Sequence, residues 1–466
     1  MTRVTHVAII GAGPGGYEAA LVGRQLGAEV TLIHQGVGGS AVLTDCVPSK
    51  ALVATAGAVT EVADSGAVGV RIHGAAPSAA GISVDLSAVN SRILDMAQTQ
   101  STDIAAQLTA RGVRLIEGFA RFTGTTQLSV AHAHGASESI DADVILIATG
   151  ARPRTMPDAE PDGERILTWE QLYTLPTLPE HLIVVGSGVT GAEFASAYRA
   201  LGSEVTLVSS RDRVLPGEDA DAARVIEDVF VQRGITVLSQ SRAAAAHRTS
   251  HGVTVTLTDG RAIDGSHVLM AVGSLPNSND IGLDVAGVEI DERGFIVTDR
   301  VSRTNVRGVY AAGDVTGVQM LASVAAMQGR IAMWHALGDA VNPLEVDHVS
   351  STVFTAPEIA TVGLSQAQLD AGDARADVYM MPLATNARAK MEEIEHGFIK
   401  IICRRTSRII AGAVVVSPHA SELIHPLTIA VEQRLTVDQL AQTFTVYPSL
   451  TGSIAEAARR LHLAAE

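Results

Sequence analysis

The amino-acid sequence predicts an α/β protein in which one βαβ unit occurs twice and a separate α+β domain follows. Short runs of Val, Ile and Ala are typical of buried parallel strands, and a G-x-G-x-x-G sequence follows one such run in each copy of the unit. Alternating apolar residues after about residue 342 predict the final domain. At 466 residues, the chain is long enough for several domains.

The first and second elements are the two βαβ units, at residues 9–33 and 184–208. In such a turn the first glycine allows the sharp bend, the second lets the backbone approach a pyrophosphate, and the third lets the helix pack on the strand. The helix N-terminus then presents free N–H groups to the phosphates. Two copies predict two Rossmann-like dinucleotide-binding domains, most naturally for a bound flavin and a diffusing nicotinamide. The glycines are Gly11, Gly13 and Gly16, then Gly186, Gly188 and Gly191.

The next elements are three apolar strands, at 143–150, 267–273 and 308–314. The last ends in Gly313-Asp314, which places a carboxylate at the C-terminal edge of a sheet, where α/β proteins bind ligands. Asp314 also suits a helix N-cap, and the two roles are compatible.

The final domain is predicted as α+β on an antiparallel sheet. Its expected elements are strands at 351–354, 359–364, 398–403 and 409–416 and helices at 421–433 and 452–463.

The composition narrows the possible functions. Hydrophobic residues make up 47% and charged residues 18%, as in an ordered globular protein. A net charge of −16 argues against binding to nucleic acid or to anionic lipid. Two cysteines, Cys46 and Cys403, are too few for a disulfide framework. No uninterrupted apolar run approaches the roughly 18 residues of a membrane span. We therefore expect no transmembrane segment, no signal peptide and a cytoplasmic location.

Several motifs together carry a family resemblance. The chain resembles the flavoprotein disulfide reductases, the group of lipoamide dehydrogenase and glutathione reductase, over nearly its whole length. The matching positions are 11–16, 38–39, 46–50 (Cys-Val-Pro-Ser-Lys), 148–150 (Ala-Thr-Gly), 186–193, 312–314 (Ala-Gly-Asp) and 354–360.

The resemblance implies FAD in the first site, a nicotinamide dinucleotide in the second, and a homodimer, or a larger assembly, whose active site the partner chain completes. It implies an FAD-binding domain at 1–155, an NAD(P)-binding domain at 156–276, a return to the FAD domain at 277–345 and a dimerisation domain at 346–466. Asp314 would hold the ribityl chain, and Lys50 would lie near the flavin N5, paired with Glu193. Further implied cofactor-binding residues are Gly39, Ser40, Ala120, Thr149, Gly150, Ala322 and Gly273.

The redox groups of the family are mostly missing. Disulfide reduction needs two thiols in C-x-x-x-x-C spacing and a His oriented by a Glu. Only the flavin-side thiol, Cys46, is present, and the other three positions are Ala41, Tyr447 and Gly452. The sequence therefore predicts no disulfide reduction. Cys46 is read as a small residue beside the flavin, with a thiol that cycles through sulfenic acid as the less favoured alternative.

Both ribose positions lack the usual acidic residue. In the first unit His34 takes that place and can still hydrogen-bond a hydroxyl. In the second unit Ser209 takes it, followed by Arg211 and Arg213. A carboxylate there would repel a 2′-phosphate by roughly 4 kcal/mol at about 4 Å and an effective dielectric of about 20. We expect NADPH to be accepted at least as well as NADH, unless both arginines are solvated and Asp212 offsets one of them.

These residues predict an NAD(P)H:quinone oxidoreductase, similar to the lipoamide-dehydrogenase-like quinone reductases that lack the redox disulfide. NAD(P)H would reduce FAD and leave, and a quinone would then take the hydride, with Lys50, Glu193 and Tyr447 as catalytic residues. Tyr447 either donates a hydrogen bond to the quinone or is only an interface aromatic. Transhydrogenation between nicotinamides and a non-catalytic flavoprotein scaffold are the alternatives. No metal site is expected, since His132, His134 and His251 read as surface residues.

Overall fold

The computed structural model describes residues 4–372 and 374–463. Residues 1–3 and 464–466, the outer ends of the predicted first and last domains, lie outside the described residues. The strands are β1 His6–Ile10, β2 Glu29–His34, β3 Arg114–Phe122, β4 Gln127–His132, β5 Ser137–Asp141, β6 Val144–Ile147, β7 Ala151–Pro153, β8 Ile166–Leu167, β9 His181–Val185, β10 Glu204–Val208, β11 Thr236–Leu238, β12 Ala243–Arg248, β13 Val253–Leu257, β14 Ala262–Gly265, β15 His267–Met270, β16 Ser274–Pro276, β17 Val309–Ala311, β18 Ser351–Val353, β19 Glu358–Gly363, β20 Ala376–Pro382, β21 Phe398–Arg404 and β22 Ile410–Ser417.

The helices follow in the same chain order. They are α1 Pro14–Gln25, α2 Gly39–Leu43, α3 Cys46–Asp64, α4 Leu86–Ala110, α5 Val189–Leu201, α6 Ala220–Gln232, α7 Leu283–Ala286, α8 Ala322–Ala336, α9 Gln366–Asp370, α10 Ala387–Met391, α11 Ala420–Glu432, α12 Val437–Gln442 and α13 Gly452–Leu463.

The first compact unit comprises residues 4–51, 88–154 and 273–345. Its main sheet has the order β17-β6-β1-β2-β3-β4-β5 and is parallel from β17 to β3. Val7 and Ile9 of β1 pack into one apolar core, and Ala8 and Ile10 pack into another on the opposite face. Burial on both faces explains why such a strand reads as a continuous apolar run.

The second compact unit comprises residues 52–87, 155–272 and 346–463, apart from residue 373. It contains the parallel sheet β11-β10-β9-β15-β8, the small antiparallel sheet β12-β13-β14 and the antiparallel sheet β18-β19-β22-β21-β20. Helices α11, α12 and α13 contribute side chains to the core of the last sheet. The predicted fold class is confirmed. The predicted first and last residues of each predicted strand and helix in the last domain agree with the observed ones to within one residue. The edge strand β20 and the short helix α12 were not predicted.

The two βαβ units share side-chain contacts as well as glycines. At the start of β1, His6 Nε2 lies 3.0 Å from the hydroxyl of Thr31 on β2. At the start of β9, His181 Nε2 lies 2.8 Å from the hydroxyl of Thr206 on β10. The same polar pair therefore joins the first two strands of each unit.

One stretch, Gly39–Asp64, is long and apolar enough by composition to cross a membrane, and a third of its most apolar window is buried. The chain breaks it into α2 and α3 around Thr44 and Asp45. Because core helices pass the same test, this is weak support for a span, and the absence of a transmembrane segment stays a prediction.

The buried His267 predicts a pH-dependent stability. It begins β15, is 9% exposed, and its ring lies 3.0 Å from the Ser266 hydroxyl and 3.4 Å from the Arg165 guanidinium. Burial, together with the charge of Arg165, lowers the pKa of His267 to about 4 from 6.5. The unfolded chain has the higher pKa and binds a proton first, so the free energy of unfolding is highest above pH 6.5 and decreases as the pH falls toward 4.

Urea unfolding at neutral and at mildly acidic pH measures this effect. His267→Gln should lose less stability on acidification than the parent protein, and the exposed His251→Gln is the matched control. Equal acid losses in the parent and in His267→Gln would refute the assignment.

Candidate active site

The turn between β1 and α1 forms a cradle that only glycine permits. Gly11 has a φ of +104°, and a Cβ there would lie 2.2 Å from the carbonyl oxygen of Ala148. A Cβ on Gly16 would lie 1.9 Å from the carbonyl oxygen of Gly11. Gly13 differs, because its φ is −68° and an added Cβ would meet no protein atom within 4 Å. Gly11 and Gly16 are thus required by the fold, while the space beside Gly13 is free for a ligand.

The turn between β9 and α5 repeats this cradle. A Cβ on Gly186 would lie 2.1 Å from the carbonyl oxygen of Ala271, and one on Gly191 would lie 1.8 Å from that of Gly186. Gly188 has a φ of −72° and open space beside it. Each cradle opens at the N-terminus of its helix, where free N–H groups favour phosphate.

Asp314 directly follows the turn after β17 in the first compact unit. Burial, and then the nearby Asp45 carboxylate, raises the pKa of Asp314 to about 6. Gly313, and not Asp314, caps the short 3-10 turn that follows, so the N-cap reading of Asp314 is wrong. A half-buried carboxyl whose pKa is raised by burial and by a neighbouring carboxylate is suited to accept hydrogen bonds from hydroxyl groups.

His34 supplies a second polar group to the first unit. Its Nδ1 is buried without a hydrogen-bond partner in the described part of the chain. Burial lowers the pKa of His34, against a smaller opposite effect of Glu117. A neutral imidazole at the end of β2 fits a ribose hydroxyl. Gly39 lies beside the same cradle, because a Cβ on it would be 2.7 Å from Gly13 Cα.

Two residues that the sequence reasoning missed hold this site in place. Gln328 is 2% exposed, and its Oε1 accepts the N–H of Gly313 at 2.8 Å. Asn277 donates from its side chain to the carbonyl oxygen of Thr149 at 3.0 Å, and the Thr149 hydroxyl donates to the carbonyl oxygen of Asn277 at 2.7 Å. A glutamine within an apolar helix was the one available signal, since nothing near Asn277 in sequence marks it.

The other residues that are predicted to bind FAD differ in their exposure to solvent. Cys46 and Lys50 are half-buried on α3, Ser40 is exposed on α2, and Ala322 is the first residue of α8. Gly150 has a φ of +70°. The side chain of Ala120 packs in the apolar core beside β3, so only its backbone can face a ligand.

Glu193 is the buried carboxylate of the second unit. It is 3% exposed on α5, and its Oε1 accepts the N–H of Phe354 at 2.8 Å. One turn later the Ser196 hydroxyl accepts the N–H of Ala356 at 3.3 Å. Helix α5 is thereby tied to residues 354–356, and the pairing of Glu193 with Lys50 remains a prediction.

The ribose end of the second cradle is shaped by two serines. Ser209 is fully buried, its hydroxyl lies 2.7 Å from that of Ser187, and it accepts the N–H of Arg211 at 3.1 Å. Ser209 therefore shapes the turn, and its hydroxyl is already used within the protein. Arg211 is exposed, and the half-buried Arg213 donates to the carbonyl oxygen of Pro216 at 3.3 Å. Gly273 has a φ of +99° and open space at Cβ.

Tyr447 belongs to an exposed apolar segment between α12 and α13. Phe444 is 102% exposed, Val446 77% and Tyr447 85%. An apolar patch of this kind marks an interaction surface.

The two thiols differ in accessibility. Cys403 is fully buried in the apolar core of the last sheet, and burial raises the pKa of its thiol. It is therefore inert.

Of the three histidines read as surface residues, His134 and His251 are exposed, and the half-buried His132 lies 3.0 Å from Glu138. The described residues contain no group of three or more His, Cys, Asp or Glu side chains arranged to hold a metal ion.

Comparison with known proteins gives full-length matches. Residues 5–329 match the family described as pyridine nucleotide-disulphide oxidoreductase, and residues 349–458 match its dimerisation domain. An NAD(P)H dehydrogenase (quinone) of Mycobacterium tuberculosis is 52% identical, over 98% of this chain and 94% of its own length. Dihydrolipoyl dehydrogenase 2 of Haloarcula marismortui is 34% identical, over 98% and 97% of the two chains.

A solved structure agrees with these matches. The crystal structure of LpdA from Mycobacterium tuberculosis superposes with a TM-score of 0.93 at 51% identity, covering 98% of this chain and 100% of that one. The resemblance inferred from the motifs is thereby confirmed. The chain belongs to the pyridine nucleotide-disulphide oxidoreductase family, whose members depend on a flavin and a pyridine nucleotide.

Proposed function

We propose that the protein is an FAD-dependent NAD(P)H:quinone oxidoreductase that reduces no disulfide. One observation carries the proposal: both dinucleotide cradles are complete, while Ala41 replaces the second thiol, Tyr447 the histidine base and Gly452 the glutamate that orients this base. The relative named NAD(P)H dehydrogenase (quinone), at 52% identity, supports a quinone as the acceptor.

Residues 1–155 and 277–345 bind FAD in this proposal, residues 156–276 bind the nicotinamide nucleotide, and residues 346–466 form a homodimer. The dimerisation-domain match at 349–458 and the exposed apolar residues Phe444, Val446 and Tyr447 support the dimer. A cytoplasmic location stays a prediction.

The residues of the first unit fit FAD. The open space beside Gly13 accommodates a pyrophosphate, and the half-buried carboxyl of Asp314 suits the ribityl hydroxyls. His34 Nδ1, which has no hydrogen-bond partner among the described residues, suits a ribose hydroxyl. When bound, the flavin supplies two-electron chemistry between the nicotinamide and the acceptor. Lys50 provides a cation near the isoalloxazine, and Glu193 provides its counter-charge.

The second unit fits a nucleotide that carries a 2′-phosphate. No carboxylate follows β10 at Ser209, and the guanidinium groups of Arg211 and Arg213 offer charge-assisted hydrogen bonds. NADPH is therefore accepted at least as well as NADH.

Oxidation of NADPH by the purified holoenzyme, with a small p-quinone or with lipoamide, tests the proposal. Turnover is expected with the quinone alone. Turnover with lipoamide would mean that a second thiol takes part, and the reading of Ala41 and Tyr447 would be wrong.

Tyr447→Phe tests a hydrogen bond from the phenol to the quinone oxygen. Loss of one such bond is expected to lower quinone turnover by roughly tenfold, while reduction of the flavin by NADPH stays unchanged. Stopped-flow measurement of the two half-reactions separates these steps. Equal quinone turnover in the variant and the parent would leave Tyr447 as an interface aromatic only, and Phe444→Leu is the control for the same exposed segment.

A further inference from the structure

Lys400 is a buried cation of the second compact unit that belongs to none of the predicted cofactor or catalytic sites. It lies on β21 and its side chain is only 2% exposed. Its ammonium donates to both carboxylate oxygens of Asp219, each at 2.8 Å, and to Asp221 Oδ2 at 2.7 Å. An ammonium is costly to bury unless it is fully hydrogen-bonded, so this three-bond arrangement indicates a fixed position for Asp219.

Asp219 connects Lys400 to helix α6. It is the N-cap residue of α6, and its Oδ1 accepts the N–H groups of Asp221 at 3.0 Å and Ala222 at 3.2 Å. One carboxylate therefore satisfies the helix N-terminus and the buried ammonium together. The start of α6 is thus fixed to a strand of the last sheet.

The segment that ends at Asp219 is the one that carries the arginines. We name residues 209–219 the arginine loop. At its start the Ser187 and Ser209 hydroxyls lie 2.7 Å apart, and further on the N–H of Leu215 donates to the carbonyl oxygen of Ser187 at 2.8 Å. The carbonyl oxygen of Arg211 accepts the N–H of Gln240 at 2.7 Å. The loop is therefore held by the glycine turn at one end and by Lys400 at the other.

We propose that Lys400 is a positioning residue for nucleotide specificity: by holding Asp219 it fixes the arginine loop, so that Arg211 and Arg213 meet the 2′-phosphate of NADPH. This inference rests on the proposed use of NADPH. A loose loop end would weaken contacts to the 2′-phosphate more than contacts to the rest of the nucleotide, because preorganised guanidinium groups lose affinity when they must be reordered on binding.

Calorimetric titration of the FAD-loaded protein with adenosine 2′,5′-bisphosphate and with 5′-AMP tests the proposal without any turnover. The parent protein is expected to prefer the bisphosphate. Lys400→Met is expected to lower that preference by about tenfold, equivalent to one charge-assisted hydrogen bond, while the Kd of 5′-AMP changes by less than about twofold. A general destabilisation of the protein would instead weaken the binding of both ligands to the same extent.

Two further variants complete the test. Asp221→Asn keeps the Asp219 cap but removes the negative charge of one partner of Lys400, so it should lower the preference by roughly threefold even if Lys400→Met fails to fold. Arg408→Met breaks the ion pair between Arg408 and Asp377, 2.9 Å apart beside the same sheet, and should leave the preference unchanged. An unchanged preference in Asp221→Asn, or in folded Lys400→Met, would overturn the role of Lys400 but would leave the proposed use of NADPH standing. A parent protein with no preference for the bisphosphate overturns the proposed use of NADPH as well.

Discussion

Gly188→Ala is expected to lower the rate of flavin reduction by NADPH by about 100-fold while the protein remains folded and yellow. An added Cβ at Gly188 meets no protein atom within 4 Å, and its φ of −72° suits any residue. The methyl group would instead occupy the space in which the backbone approaches the pyrophosphate. A displacement of about 1 Å in a bound reactant is enough for a loss of this size. Stopped-flow reduction and thermal melting measure the two parts of the result.

Other glycines of the two cradles provide matched controls. Gly191→Ala should lower the melting temperature, because its Cβ would lie 1.8 Å from the carbonyl oxygen of Gly186. Gly13→Ala should fold, because its Cβ also meets no protein atom within 4 Å. It should nevertheless release FAD, because the methyl group would occupy the space proposed for the pyrophosphate. If Gly188→Ala reduced its flavin at the parental rate, the second cradle would not be the site of the nicotinamide nucleotide.

Asp314→Leu is expected to weaken FAD binding by about 100-fold. Leucine has a similar volume but accepts no hydrogen bond, so the flavin side chain would lose a buried acceptor. Gel filtration followed by measurement of the flavin-to-protein ratio gives the result. A colourless protein that melts cooperatively is expected.

The pH dependence of FAD binding tests the same carboxyl. Burial raises its pKa to about 6, and hydroxyl donors favour the charged form, so FAD binding should lower this pKa. FAD affinity should therefore rise as the pH increases through 6 and level off above it. Asp314→Asn should bind FAD with no such rise. If Asp314→Leu were purified with one FAD per chain and bound FAD with the affinity of the parent protein, Asp314 would not be part of the flavin site.

The fold class and the two cradles are determined by local sequence. Gly11, Gly16, Gly186 and Gly191 are needed because any side chain collides with the backbone a few residues away or on the adjacent strand, so the motif and its geometry are inseparable. The strands of the parallel sheets could be predicted because burial on both faces leaves an uninterrupted apolar run. Edge strand β20, with alternating burial, and the six-residue α12 carry weaker signals.

The sequence also determined what the protein lacks, because a thiol or an imidazole that is absent from its motif position cannot be supplied by folding. Only the tertiary structure decided which groups hold the site residues. Gln328 on the Gly313 amide, Phe354 on Glu193 and Lys400 on Asp219 belong to elements that are distant along the chain or carry no motif. It also decided that the Ser209 hydroxyl is used within the protein. Hydrogen-bond partners of this kind depend on how helices and sheets pack, and packing distances are not encoded in the spacing of residues along one segment.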